Sequence, residues 1–102
     1  MKAYNVPEFT GGSCAANGEM IQAGDRLQTR LTQELNLNST AAIYRLRIVA
    51  TAMMLSCANG PGAVVGTISL IADDFVAAAK CRDKKSLRSV LTAVLRKYQP
   101  QR

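Results

Sequence analysis

The sequence predicts an all-α fold: a compact four-helix domain with a buried central helical hairpin, about 40–58 and 61–82, behind an irregular N-terminal arm. Three observations carry this reading. No charged residue occurs from 48 to 72 in a chain that is 20% charged, so that stretch must be kept from water. Asn59-Gly60-Pro61-Gly62 breaks the same stretch at its centre, which turns one long apolar run into two helical arms. Leu87, Val90, Leu91, Val94, Leu95 and Tyr98 then follow at i, i+3, i+4, i+7, i+8 and i+11, the spacing of a helix with one apolar stripe.

At 102 residues the chain has room for one core only. Residues 1–18 lack helical periodicity and contain Pro7, Gly11-Gly12 and Asn17-Gly18, so they are expected to form a partly disordered arm. From 19 to 98 a single helical domain is expected, followed by a short basic tail at 99–102. Within it Met20, Gly24, Leu27, Leu31 and Leu35 fall in steps of four, three, four and four, and predict the first helix. Asn36 to Thr40 supplies turn and N-cap chemistry.

The second helix is expected over about 40–58. Beyond Arg47 it is apolar nearly all round, the pattern of a helix enclosed on every side. Asn59-Gly60 should end it, and Pro61 suits the first turn of the third helix. Val64, Ile68, Ile71, Phe75 and Ala78 give that helix its stripe, although β-branched residues at its start leave a strand open there. Asp83 is the expected N-cap of the fourth helix. Three neighbours with single stripes cover an all-round apolar helix poorly, so a homodimer is expected.

The charge is uneven. From Lys80 to the C-terminus eight basic residues face one acid, and the first 79 residues carry five basic and six acidic side chains. An acidic partner is therefore expected, duplex DNA or an acidic protein surface. Lys80, Arg82, Lys84, Lys85, Arg88, Arg96 and Lys97 are the candidate contacts. Residues 28–47 also resemble a helix-turn-helix unit, with Leu31, Leu35 and Leu37 at its apolar positions. Thr32 stands where the helix crossing wants a small residue, Asn36 where the turn wants glycine, and Arg45 where the second helix should be apolar. In that reading Ser39, Thr40, Ile43, Tyr44 and Arg47 would face a major groove.

Catalysis is not expected. The chain has no histidine, and Asp73-Asp74 point about 100° apart on a helix, which prevents a facing carboxylate pair. Three widely spaced cysteines without histidine make neither a zinc site nor a disulfide framework, so no cofactor is expected. The glycines at 60, 62 and 66 match neither a dinucleotide fingerprint nor a P-loop. No apolar leader follows Met1-Lys2, and the central breaker argues against a membrane span; a cytoplasmic, reducing location is the expectation. The chain thus reads as a small basic helical regulator of the kind phages and plasmids encode. The alternative is an adaptor or inhibitor that docks its basic helix on an acidic protein. Ranked last is an amphipathic membrane-surface binder, since the core needs the apolar face of the fourth helix.

Overall fold

The computed structural model describes residues 17–99. Residues 1–16 of the expected 1–18 arm and residues 100–102 of the expected 99–102 tail lie outside the described residues. Four α-helices follow in order: α1 (Gly18–Leu35), α2 (Thr40–Ser56), α3 (Pro61–Lys80) and α4 (Leu87–Tyr98), with a 3-10 turn over Cys57–Asn59. No strand occurs among the described residues, and the β-branched start of α3 is helical.

Asn17 belongs to the fold rather than to an arm. Its extended backbone and side-chain Oδ1, accepting from the Met20 amide at 3.0 Å, make it the N-cap of α1. Asn36 closes that helix in the left-handed region, at φ 60° and ψ 37°, a conformation asparagine tolerates almost as glycine does. The expected start of α4 needs correction. Ser86 caps it, accepting from the Ser89 amide at 3.1 Å, and Asp83 sits in the preceding turn at φ 60°. Three residues between Asp83 and Leu87 are too many for a cap one position before the helix.

The α2–α3 hairpin turns at Gly60, whose φ of 92° suits only glycine comfortably, and Pro61 takes the first helical position. Inside the hairpin the Ser56 and Thr67 hydroxyls meet at 2.5 Å, and Thr67 donates onward to the Ala63 carbonyl. Ser56 is buried, so this chain of bonds satisfies a group that would otherwise be costly.

The core forms where the stripes converge. Leu31 of α1, Ile48 of α2, Val64, Ile71 and Phe75 of α3 and Leu91 of α4 are fully enclosed. Of the six apolar residues predicted for α4, four are buried, and Leu87 and Tyr98 pack partly against the cluster. α3 is the most enclosed helix, with seven buried residues.

α2 departs from expectation. Its inner side buries Ala41, Ile48, Thr51, Ala52 and Ser56, but Ile43, Leu46 and Met54 stand 58%, 69% and 60% exposed. Among the described residues α1, α3 and α4 leave this apolar face of α2 uncovered. The segments Thr40–Asn59 and Pro61–Lys80 are each long and apolar enough to cross a membrane by length and composition.

Candidate anion-binding cleft between α2 and α4

Helical geometry divides the residues of α2 among three directions. Ala41, Ile48 and Ala52 enter the core; Ala42, Arg45, Leu46, Val49 and Met53 line a groove against α1; Thr40, Ile43, Tyr44 and Arg47 turn towards α4. The last four meet Arg88 and Thr92 around a cleft of about 540 Å³. Thr40, Ile43, Tyr44 and Arg47 of one stretch singled out in the sequence thus share a concavity with Arg88, one of the seven basic candidates of the other.

The lining of this cleft suits an anion. It holds two guanidinium groups and three hydroxyl-bearing side chains, and no carboxylate. Arg47 and Arg88 make no ion pair with any described residue, so both remain available for charge-assisted bonds to an incoming oxyanion. Thr92 donates its hydroxyl to the Arg88 carbonyl at 3.0 Å. That bond fixes the Thr92 rotamer on the exposed side of α4, next to the Arg88 stem.

Tyr44 is less free than a groove-reading side chain would be. Its ring packs edge-to-face on Phe75, with centroids 5.8 Å apart and planes at 64°. Only one side of the ring is left towards the cleft. Ser39 is exposed and adjoins Thr40, but its hydroxyl makes no capping bond to α2.

The remaining basic candidates fall into two groups. Lys80 and Lys97 are engaged on their own chain: Lys80 Nζ lies 2.8 Å from Glu34 Oε1, and Lys97 Nζ lies 3.8 Å from Asp74 Oδ2. Glu34 also takes Arg30 Nε at 2.9 Å, and Arg30 reaches Asp73 at 2.6 Å, so four residues tie α1 to α3. The bond from Lys80, then that from Arg30, holds the Glu34 carboxyl below its ordinary pKa, and the bond to Asp73 is the main cause of a raised Arg30. Arg82 donates to the Ala79 carbonyl at 3.1 Å and covers the end of α3. Lys84, Lys85, Arg88 and Arg96 are exposed without an ion pair among the described residues. The basic surface is therefore narrower than the sequence count implies, and Arg47 of α2 joins it.

Asp73 and Asp74 diverge as their adjacency requires: one meets Arg30, and the other accepts from the Tyr98 hydroxyl. Burial, reinforced by that bond, pushes the Tyr98 phenol up to about 12. Among the described residues no group of three or more histidine, cysteine or carboxylate side chains could hold a metal ion.

Sequence reasoning missed the role of Arg45. As a departure from the helix-turn-helix pattern it suggested a misfit, yet it folds back onto α1, pairing with Asp25 at 2.8 Å and donating to Gln28 at 3.0 Å. It covers Gly24, whose missing side chain leaves the room. A glycine and an arginine 21 positions apart give no sequence signal of such a contact. Comparison with known proteins finds no match to this chain among family models, characterised proteins or solved structures.

Proposed function

We propose that this chain is a small helical DNA-binding regulator that works as a homodimer, gripping backbone phosphates through the α2–α4 cleft. The observation that supports it is the convergence of Arg47 and Arg88, with Thr40 and Thr92, around a cavity without a carboxylate. Phosphate contacts of this type supply most sequence-independent affinity for duplex DNA. Lys84, Lys85 and Arg96 extend the same positive surface, and Ser39, Thr40 and Tyr44 are the side chains nearest to any base edge. The left-handed Asn36 supports the helix-turn-helix likeness of residues 28–47, because it takes the conformation that the turn glycine would provide. In this reading the apolar hairpin helices are core helices of a soluble globule, in keeping with the burial of Ile48, Val64, Ile68, Ile71 and Phe75.

Fluorescence anisotropy with a labelled duplex tests it. Affinity should fall with salt along a log–log slope of magnitude about 4–6, one phosphate for each basic side chain engaged. A flat dependence, or no binding at low salt, overturns it. A second reading, docking on an acidic protein, draws on Ile43, which stands 58% exposed beside Arg47. It predicts negligible duplex binding, together with a partner lost on charge reversal at Lys84, Lys85 and Arg88.

A further inference from the structure

We propose that the α2–α4 cleft is built for a terminal phosphate, an inference that rests on its reading as a phosphate site. Its preferred ligand is the phosphomonoester of a nucleotide, free or at the 5′ end of a DNA strand, over an internal phosphodiester. Charge is the first reason. Arg47 and Arg88 bring two positive charges to the cleft, and no carboxylate in its lining offsets them. A phosphomonoester carries a charge of about −1.5 to −2 at neutral pH and three strong acceptor oxygens. A backbone phosphodiester carries one negative charge and one such oxygen fewer. The dianion can neutralise both guanidinium groups together, and the diester cannot.

The donors of the lining are also uncommitted. Among the described residues, the Thr40 and Tyr44 hydroxyls and both guanidinium groups make no hydrogen bond or ion pair. Only Thr92 has its donor in use, on the Arg88 carbonyl. By contrast, Arg30, Arg45, Arg82 and Tyr98 are each bonded to another residue of the chain. Donor groups gathered around one concavity suit a ligand that brings only acceptors. The volume points to more than a bare ion: 540 Å³ falls among small-molecule sites, about 300–1,000 Å³. Ile43, 58% exposed, and the Tyr44 ring, held against Phe75, put apolar surface beside the donors, where a sugar and base would lie. Bases inside a duplex are stacked and paired, so a free nucleotide or a strand end reaches that surface best.

Two paired comparisons test the preference. By isothermal titration, adenosine 5′-monophosphate should bind about tenfold more tightly than cyclic AMP, which carries the same nucleoside on a diester. By anisotropy, an internally labelled duplex with 5′-phosphate ends should bind about tenfold more tightly than the same duplex with 5′-hydroxyl ends. A preference in the first pair alone assigns the cleft to free nucleotides, and one in the second pair alone assigns it to strand ends. Arg47→Ala and Arg88→Ala should each abolish the preference with helix content unchanged by circular dichroism; the native-chain comparisons stand without them. Equal affinities within both pairs overturn the proposal, even where the hydroxyl-ended duplex binds with a steep salt dependence. A nucleotide preference without any duplex binding removes the DNA reading instead and leaves the terminal-phosphate site in place.

Discussion

The Arg45 guanidinium fills the space that a Cβ on Gly24 would need, with Nε and Nη2 each 2.8 Å from that position. A helical glycine costs about 1 kcal/mol relative to alanine, and here the cost accompanies a close approach of α2 to α1. The obstruction is the far end of a flexible side chain. Gly24→Ala should therefore be tolerated, but coupled to Arg45. In an Arg45→Ala background it should stabilise the fold by about 0.5–1 kcal/mol. With Arg45 present, the gain should shrink or change sign, because the guanidinium must leave Asp25 and Gln28. Urea unfolding of the four proteins in a double-mutant cycle measures the difference; equal effects in both backgrounds would mean that the contact has no energetic weight.

Arg47 and Arg88 should contribute to binding as a pair, and Lys80 should not. Arg47→Ala and Arg88→Ala should each weaken duplex binding and reduce the magnitude of the salt slope by about 1. Lys80→Ala should leave the slope unchanged, since Nζ is already held 2.8 Å from Glu34. Its cost should appear in stability and be below about 1 kcal/mol, as for other exposed pairs. Anisotropy titrations at several salt concentrations separate the cases. Equal losses for all three variants would point to diffuse attraction by net charge rather than to the cleft.

The Tyr98–Asp74 bond sets an alkaline limit. The phenol is neutral at neutral pH whether the chain is folded or not, so its contribution is complete below the unfolded value of about 10. Above that pH the unfolded chain loses a proton that the folded one retains until about 12, and stability falls across this window. Glu34 acts in the opposite direction: its lowered pKa gives a contribution present above the ordinary carboxylate range and lost as pH falls through the lowered value. Tyr98→Phe should flatten the decline between pH 10 and 12 in thermal unfolding profiles. A decline as steep as that of the native chain would assign it to other groups.

The fold was readable because its signals were local. The 87–98 stripe, the break at 59–62 and the turn at 36–40 each set a boundary from neighbouring residues alone, and each boundary stands within a few positions of its expected place. What escaped depends on contacts between distant residues. Asp83 has the residue type of a cap, but its backbone turns left-handed and Ser86, accepting from the Ser89 amide, holds the cap position. Lys80 and Lys97 carry free charge by residue type alone, but Glu34 and Asp74 lie beside them in the fold. The all-round apolar pattern of α2 implied a helix enclosed on every side, but α3 is the most enclosed helix, and Ile43, Leu46 and Met54 of α2 stay more than half exposed.

That open face is the basis on which a dimer is proposed. Leu46, Ala50 and Met54 recur every four residues along α2, with Leu46 and Met54 more than half exposed and the small Ala50 between them. Rows at i±4 form the ridges by which helices pack, and a small central residue lets two such ridges approach closely. Two copies related by a two-fold axis would each present the same row, so one stripe is enough to make a self-complementary contact. Leu46→Glu and Met54→Glu place charge at the centre of that contact without touching the core. Each should convert a dimer into a monomer by sedimentation equilibrium or native mass measurement, with helix content and monomer fold unchanged. Duplex affinity should fall as well, since a dimer engages two clefts and each monomer only one. A native chain that is monomeric at tens of micromolar would remove the dimer from the proposal, leaving the Arg47–Arg88 cleft to act alone.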